Sequence, residues 1–252
     1  MYSRIIVEKI TFNSKGNSLK GRTYRPTIEG KYPAVAICHG YPGDPKNMDL
    51  AEEMALNGVA VLVFYYQGAW GSEGHFRFSS VEPNTVDAIN YLKSQSFVDP
   101  KRVGLISHSM GAIPLTNVMS NDRSIKTGVL IAPAVDLSKW IAEEVVDIAV
   151  ANFLSLAEGK IDCGDEIEYK NDMIEAGKEL GNLTSIVQKI EAPIMAIVGS
   201  ADPITPPEHS RILIENAIHT KKLVVVDGAD HNFSEHKLQL QRNVLEWLSE
   251  YL

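Results

Sequence analysis

The sequence predicts an α/β protein whose mostly parallel sheet is covered by helices on both sides. Three observations point there. From Pro33 onward, short apolar runs such as Ala34 to Cys38 and Val59 to Tyr65 alternate with helix-length segments. Those runs are apolar throughout, which suits strands buried on both faces rather than half-exposed ones. The chain has 252 residues, 44 % hydrophobic and 22 % charged, enough apolar material for a sizeable core and too much for intrinsic disorder.

The elements follow in order. Ile5, Val7, Ile10 and Phe12 make a partly alternating strand, and a second strand lies near Leu19 to Tyr24. The turn around Gly16 is short, so the pair is expected to be antiparallel. Ala34 to Cys38 reads as a strand, followed by a helix from about Lys46 to Asn57. Val59 to Tyr65 is the next strand, then a Gly-rich loop and a helix from about Pro83 to Ser94. Val103 to Ser107 is a strand, with a helix from about Gly111, and Gly128 to Ile131 another strand. Ile194 to Gly199 and Leu223 to Val226 are later strands, and an amphipathic helix runs from Phe233 to the C-terminus.

Between Ile131 and Ile194 no strand stands out. Leu137, Ile141, Val145, Ile148 and Phe153 recur at roughly helical spacing there. The chain therefore divides into a core, residues 1–134 and 191–252, and a helical cap insert, residues 135–190. The insert holds 12 acidic and 5 basic residues, nearly all of the net charge of −8. One reading is a solvated helical face; the other is a cap over an active site that disfavours anionic substrates.

Composition also excludes. A net charge of −8 and a pI near 5.4 argue against nucleic acid as a partner. The longest apolar stretch, Val59 to Tyr66, has 8 residues, whereas a membrane span needs about 20. Met-Tyr-Ser-Arg at the start lacks the apolar region of a signal peptide. Cys38 and Cys163 cannot build a disulfide framework and suit a reducing cytoplasm as buried inert thiols. No repeat, C-x-x-C, H-E-x-x-H or dinucleotide fingerprint is present, so the expectation is no metal and no organic cofactor. A homo-oligomer is compatible with the sequence.

The segment Gly104-Leu105-Ile106-Ser107-His108-Ser109-Met110-Gly111 carries the chemistry. It follows a predicted strand and opens a predicted helix, so Ser109 sits on a sharp turn with its hydroxyl projecting from the carboxyl edge of the sheet. The residues two before and two after such a turn must be small, and here they are Ser107 and Gly111. The Met110 N–H points at the same space from a helix N-terminus.

A serine nucleophile needs a base. Of seven histidines, His231 lies between the last strand and the last helix, in a loop that opens on the same edge. His209, His219 and His236 read as surface residues, His108 as aimed elsewhere by the turn, and His75 as a loop residue within reach of the site. The base needs an acceptor. Asp202 follows the strand Ile194 to Gly199 and precedes His231 by 29 residues; Asp136, after the strand before the insert, is the alternative. An oxyanion needs preorganised donors. His39-Gly40-Tyr41-Pro42-Gly43 turns sharply after a strand, and the Tyr41 N–H joins that of Met110 as a candidate. In the Gly-rich loop Tyr65 to Gly74, Trp70 either lines the substrate pocket or packs beneath the loop.

Together these residues resemble the α/β-hydrolase superfamily, over about Pro33 to the C-terminus without the insert. The chain looks similar to small cinnamoyl or feruloyl esterases and to the catalytic domain of prolyl-oligopeptidase-like serine peptidases. The likeness rests on the H-G turn, the G-x-W-G-S-x-G loop and the G-A-D-H-N-F segment. The superfamily's motif usually has Gly where Ser107 stands. The resemblance implies an eight-stranded sheet, with Ser109 as nucleophile, His231 as base, Asp202 as acid, and Tyr41 and Met110 as oxyanion donors. It implies a cofactor-free serine carboxylesterase acting on a small ester, forming an acyl-enzyme. An aminopeptidase or acyl-peptide hydrolase cleaving a short peptide or amide is the alternative enzyme, a cofactor-free perhydrolase a further one, and a silent hydrolase fold used as a binding protein the alternative of another class.

Overall fold

The computed structural model describes residues 4–43, 48–180 and 182–252. Its centre is one eight-stranded sheet: β1 (Ile5–Ser14), β2 (Asn17–Pro26), β3 (Tyr32–Cys38), β4 (Ala60–Phe64), β5 (Val98–His108), β6 (Gly128–Ile131), β7 (Ile194–Gly199) and β8 (Lys221–Val226). The spatial order is β1-β2-β4-β3-β5-β6-β7-β8. The first two strands form an antiparallel hairpin, and β2 also runs antiparallel to β4; every pairing from β4 through β3 to β8 is parallel. Lys15 and Gly16 turn the hairpin with φ of 51° and 90°.

The helices are α1 (Met48–Leu56), α2 (Val81–Ser94), α3 (Ala112–Asn121), α4 (Val146–Ala157), α5 (Glu166–Leu180), α6 (Leu183–Ile186), α7 (Pro207–Asn216) and α8 (Lys237–Tyr251). Helices α1 and α8 bury Leu50, Met54, Leu240 and Trp247 against one face of the sheet. On the other face, α2, α3 and α7 contribute Ile89, Leu92, Leu115 and Leu213 to a second core layer. With both faces covered, the central strands are apolar, as buried parallel strands are. β4 and β6 are buried at every position.

Several elements differ in extent from expectation. The first helix is described over Met48–Leu56; Lys46 and Asn47 of the expectation, like the first three residues of the chain, lie outside the described residues. Strand β5 begins at Val98, because Val98 pairs with Tyr32 before the register shifts. The last helix begins at Lys237 rather than Phe233: Phe233 has φ 53°, and the Asp230 carboxylate accepts hydrogen bonds from the Asn232 and Ser234 N–H groups, winding the chain into a turn.

A last difference concerns residues 135–190. They contain α4, α5, α6 and short 3₁₀ turns at Ser138–Trp140 and Val187–Lys189. The row Leu137, Ile141, Val145, Ile148, Phe153 is not one helical face. The chain breaks before α4, whose buried side is Val146, Val150 and Ala157, while Ile148 is 64 % exposed. Apolar spacing alone does not see a break of the chain, so Val145 and Ile148 of the row are exposed while Leu137 is buried. Among the described residues, no helix is long and apolar enough to cross a membrane.

Leu105 sits mid-sheet on β5 and is fully buried among neighbours from the α2 and α3 layer. Leu105→Ala is expected to cost about 2–5 kcal/mol. A urea titration measures it; a loss under about 1 kcal/mol would show that the central strands carry less of the stability than this packing requires.

Candidate active site

Ligands of open parallel sheets bind where loops leave the carboxyl ends of the strands. Here the loops after β3, β4, β5, β7 and β8 meet at one cleft of about 470 Å³. Gly40, Tyr41 and Pro42 come from the first, Trp70 from the second, Ser109 and Met110 from the third, Ile204 from the fourth, and His231 and Asn232 from the last.

The Ser109 turn is built by close approach. Ser109 has φ 53°, a strained value for a residue with a side chain. A Cβ on Gly111 would lie 2.1 Å from the Cys38 carbonyl oxygen, so no larger residue fits there. A Cβ on Gly40 would lie 3.0 Å from the Ser109 Cβ. The two loops are therefore pressed together, and Ser109 lies half-buried at the cleft. Met110 is the second residue of the helical turn that Ser109 opens, where N–H groups lack intrahelical partners. The Tyr41 N–H makes no backbone hydrogen bond among the described residues.

Asp202 and His231 meet through their backbones. The Ala201 N–H donates to the Ala229 carbonyl at 3.0 Å, and the Ser200 N–H to the Val226 carbonyl at 2.9 Å. A Cβ on Gly199 would lie 2.1 Å from the Ala229 oxygen. This lacing brings His231 Nδ1 to 2.8 Å from Asp202 Oδ2. Asp202 Oδ1 accepts the N–H groups of Ile204 and Thr205 at 2.8 and 2.9 Å. Burial by itself would raise the Asp202 carboxyl, but the His231 ring and the Thr205 hydrogen bonds outweigh it and hold the group below the usual carboxylate range. An ionised carboxylate only accepts, so His231 carries its proton on Nδ1 and keeps the Nε2 lone pair free. Among the described residues no hydrogen bond joins that ring to Ser109 Oγ, although both line the cleft.

Thr205 was not visible from motif reading. Its hydroxyl lies 2.8 Å from Asp202 Oδ2, 3.0 Å from the Ala132 carbonyl and 3.1 Å from His231 Nδ1. It ties Asp202 to the end of β6. The spacing Asp-Pro-Ile-Thr, a capping pattern in which the carboxylate takes N–H groups two and three residues on, is the signal that would have found it.

The other candidates fall elsewhere. Asp136 accepts from the Ser138 N–H at 3.0 Å and caps a turn. His75 is exposed and pairs with Asp162 at 2.9 Å. His219 is exposed, but His209 and His236 are half-buried, against the expectation of surface residues. His108 corrects a second expectation. Its side chain is not aimed away: it lines the cleft, its ring lies 4.8 Å from that of His231, and its Nε2–H donates to the His231 carbonyl at 2.9 Å. Burial, with His231 beside it, lowers its pKa to about 4. His39 is a buried strut. Its Nδ1–H donates to the Gly40 carbonyl at 2.7 Å and its Nε2 accepts the Tyr66 N–H at 3.3 Å. Trp70 both lines the cleft and is anchored, its Nε1–H donating to the Pro42 carbonyl at 3.0 Å.

The segment 135–190 supplies the outer wall: Trp140, Phe153, Leu156 and Lys160. No acidic residue of that segment lines the cleft, and ten of its twelve are exposed, with Asp136 and Asp172 half-buried, so the acidity is a solvated face. The Tyr41 hydroxyl fastens this wall to the β3 loop, donating to the Phe153 carbonyl at 3.1 Å and accepting from the Tyr169 hydroxyl at 3.2 Å. Cys163 Sγ lies 3.5 Å from the same hydroxyl. Both cysteines are free and buried, and burial pushes the Cys38 thiol up to about 12.

Residues 66–252 match the prolyl oligopeptidase family, and the chain belongs to it. With that family it is an α/β-fold serine hydrolase. A relative in Mycobacterium tuberculosis (strain ATCC 25618 / H37Rv), described as an uncharacterized protein, is 28 % identical over 222 residues, 87 % of this chain and 70 % of that one. Among solved structures, Est1E from Butyrivibrio proteoclasticus superposes with a TM-score of 0.77 at 19 % identity, covering 96 % of this chain and 98 % of its own. The esterase domain of a Rhodothermus marinus protein superposes at 0.72 and 19 % identity, covering 98 % and 99 %. At such identities the likeness is one of fold.

Two measurements check this geometry. Burial lowers the His39 pKa from 6.5 to about 4. Above pH 6.5 neither folded nor unfolded His39 is charged, and its contribution to stability is complete. Between pH 6.5 and about 4 the unfolded chain takes up a proton that the folded one refuses, so stability falls as the solution is acidified, by roughly 3 kcal/mol for this group. Urea midpoints across pH 7 to 4 should show His39→Gln with a shallower loss than wild type; equal slopes would place His39 in water. Separately, Tyr41→Phe should leave the fold intact and lower melting by a few degrees, since one partly buried hydroxyl network is worth about 1 kcal/mol.

Proposed function

We propose that the protein hydrolyses carboxylic esters of modest size, with Ser109 as nucleophile, His231 as base and Asp202 as the acid that orients it. The observation that carries this reading is the 2.8 Å contact of His231 Nδ1 with a buried, ionised Asp202, in a ring that shares one cleft with Ser109.

The steps follow from the groups present. His231 Nε2 takes the Ser109 proton as Oγ attacks the carbonyl carbon. The oxyanion is held by the N–H groups of Tyr41 and Met110, both preorganised by the tight β3 and β5 turns. Proton return from Nε2 releases the alcohol and leaves an acyl-enzyme. Water, deprotonated by the same nitrogen, then frees the acid. Asp202 stabilises the imidazolium at each stage, and its hydrogen bonds from Thr205 hold it in place. Trp70, Trp140, Phe153, Leu156 and Ile204 make the cleft apolar, which favours an aromatic or aliphatic acyl or alcohol group.

A short peptide or acyl-amide substrate is the second reading. Membership of the prolyl oligopeptidase family favours it. The same groups serve both reactions; an amide requires His231 to protonate a poorer leaving group.

Ser109→Ala should lower kcat on a p-nitrophenyl ester on the order of 10⁴ to 10⁶-fold and abolish labelling by a fluorophosphonate. A loss under about tenfold would remove Ser109 from the chemistry. Asp202→Asn should cost about 10⁴ in kcat while Asp136→Asn leaves it near wild type; the opposite ranking would move the acid to the β6 loop. Parallel assays on hydroxycinnamate esters and aminoacyl anilides separate the ester from the amide reading.

A further inference from the structure

A second groove, of about 720 Å³, shares Trp70 with the cleft. Lys9, Lys20, Arg22, Thr11, Met48 and Tyr65 line it with Trp70. Its charge is anomalous. Lys9 and Arg22 are directly opposed across the β1–β2 ladder, and Thr11 opposes Lys20. Residues directly opposite share a face, and so do residues two apart on a strand, so all three cations project from one side of the hairpin. Like charges in opposed positions repel. Among the described residues no carboxylate forms an ion pair with any of the three, in a chain that carries eight more acidic than basic residues.

Edge protection does not account for them. Lysines on an edge strand deter sheet-to-sheet pairing, and β1 is an edge. Lys20 and Arg22, however, stand on β2, which is paired on both sides. The groove is also tied to the cleft. The Lys20 N–H donates to Ser72 Oγ at 2.9 Å, and its carbonyl accepts the Tyr65 N–H at 2.9 Å. A Cβ on Gly71 would lie 2.9 Å from Lys20 Nζ, so the ammonium rests on the loop that carries Trp70. The indole is common to both spaces and is pinned to the Pro42 carbonyl. Arg22 is braced against Met48 Sδ at 3.8 Å.

We propose that this groove binds an anionic group, a carboxylate or phosphate, carried at the far end of the substrate whose ester is cleaved at Ser109. The inference rests on the hydrolase reading for its second half only. The planar guanidinium of Arg22 and the two ammonium groups match the charge and acceptor geometry of such an anion, and Tyr65 and Trp70 flank the chain that leads to it. The cleft wall agrees: it presents Lys160 and no carboxylate, so an anionic tail meets no repulsion on the way.

The test has two arms, each run on wild type and on a Lys9→Gln, Lys20→Gln, Arg22→Gln triple variant, with circular dichroism to check that the variant is folded. In the first, calorimetry on the Ser109→Ala background at low ionic strength titrates inorganic phosphate and suberate. Kd should be about tenfold or more weaker in the triple variant; equal Kd values would overturn the proposal whether or not the protein is an esterase. The second compares esters bearing a terminal carboxylate, on the acyl or on the alcohol side and of increasing chain length, with neutral esters of equal length. In one of the two series kcat/KM for the charged ester should exceed that for the neutral one once the chain is long enough to pass the indole. That advantage should vanish in the triple variant while the neutral ester is unaffected. Phosphate and suberate binding with no charged-ester advantage would overturn the substrate assignment and leave a site for free anions. If no ester is turned over, the hydrolase reading fails alone, and the calorimetric arm still decides the groove.

Discussion

The hydrogen bond between the His231 ring and the Asp202 carboxylate is the interaction on which the cleft depends. It sets the tautomer of the imidazole, and so decides which nitrogen keeps a lone pair. It exists because the β7 and β8 loops are laced together by backbone hydrogen bonds and by the approach of Gly199 to Ala229. The carboxylate stays ionised despite burial because four donors surround it: the ring, two amides and the Thr205 hydroxyl. Loss of any donor leaves a buried charge less compensated, which is costlier than the bond's own worth.

A second set of contacts shapes the space in front of that pair. The β3 loop is clamped between the Ser109 turn and the His39 strut, and its Tyr41 side chain reaches outward to Phe153 and Tyr169. One loop therefore joins the Ser109 turn, through backbone packing, to the helices of residues 135–190, through a side chain. Trp70 fastens a third loop to the same place. Movement of the helical wall would be felt at the Tyr41 amide, the group proposed to hold the oxyanion.

Much of this was legible in the residues. The strands were legible because buried parallel strands are apolar at every position, a pattern that survives without knowledge of partners. Ser109, Asp202 and His231 stood out because each follows an apolar run at a strand's carboxyl end. His108 was misplaced because the direction of a side chain at a positive-φ neighbour depends on what the turn packs against. Thr205 escaped because its hydroxyl acts through a residue three positions back and a carbonyl on another strand. The apolar row from Leu137 to Phe153 misled because it spans a 3₁₀ turn, a break and the start of α4 rather than one helix.

By itself the sequence determined the class of fold, the order of its elements and which residue types stand at the ends of the strands. Those are local properties, written in short-range apolar pattern and turn chemistry. Only the tertiary structure decided that the Asp202 and His231 loops touch, that the acidic face of residues 135–190 turns to solvent, and that Lys9, Lys20 and Arg22 share one groove with Trp70. Each is a matter of register and packing between segments far apart in the chain, and contact of that kind is set by the whole fold rather than by any window of residues.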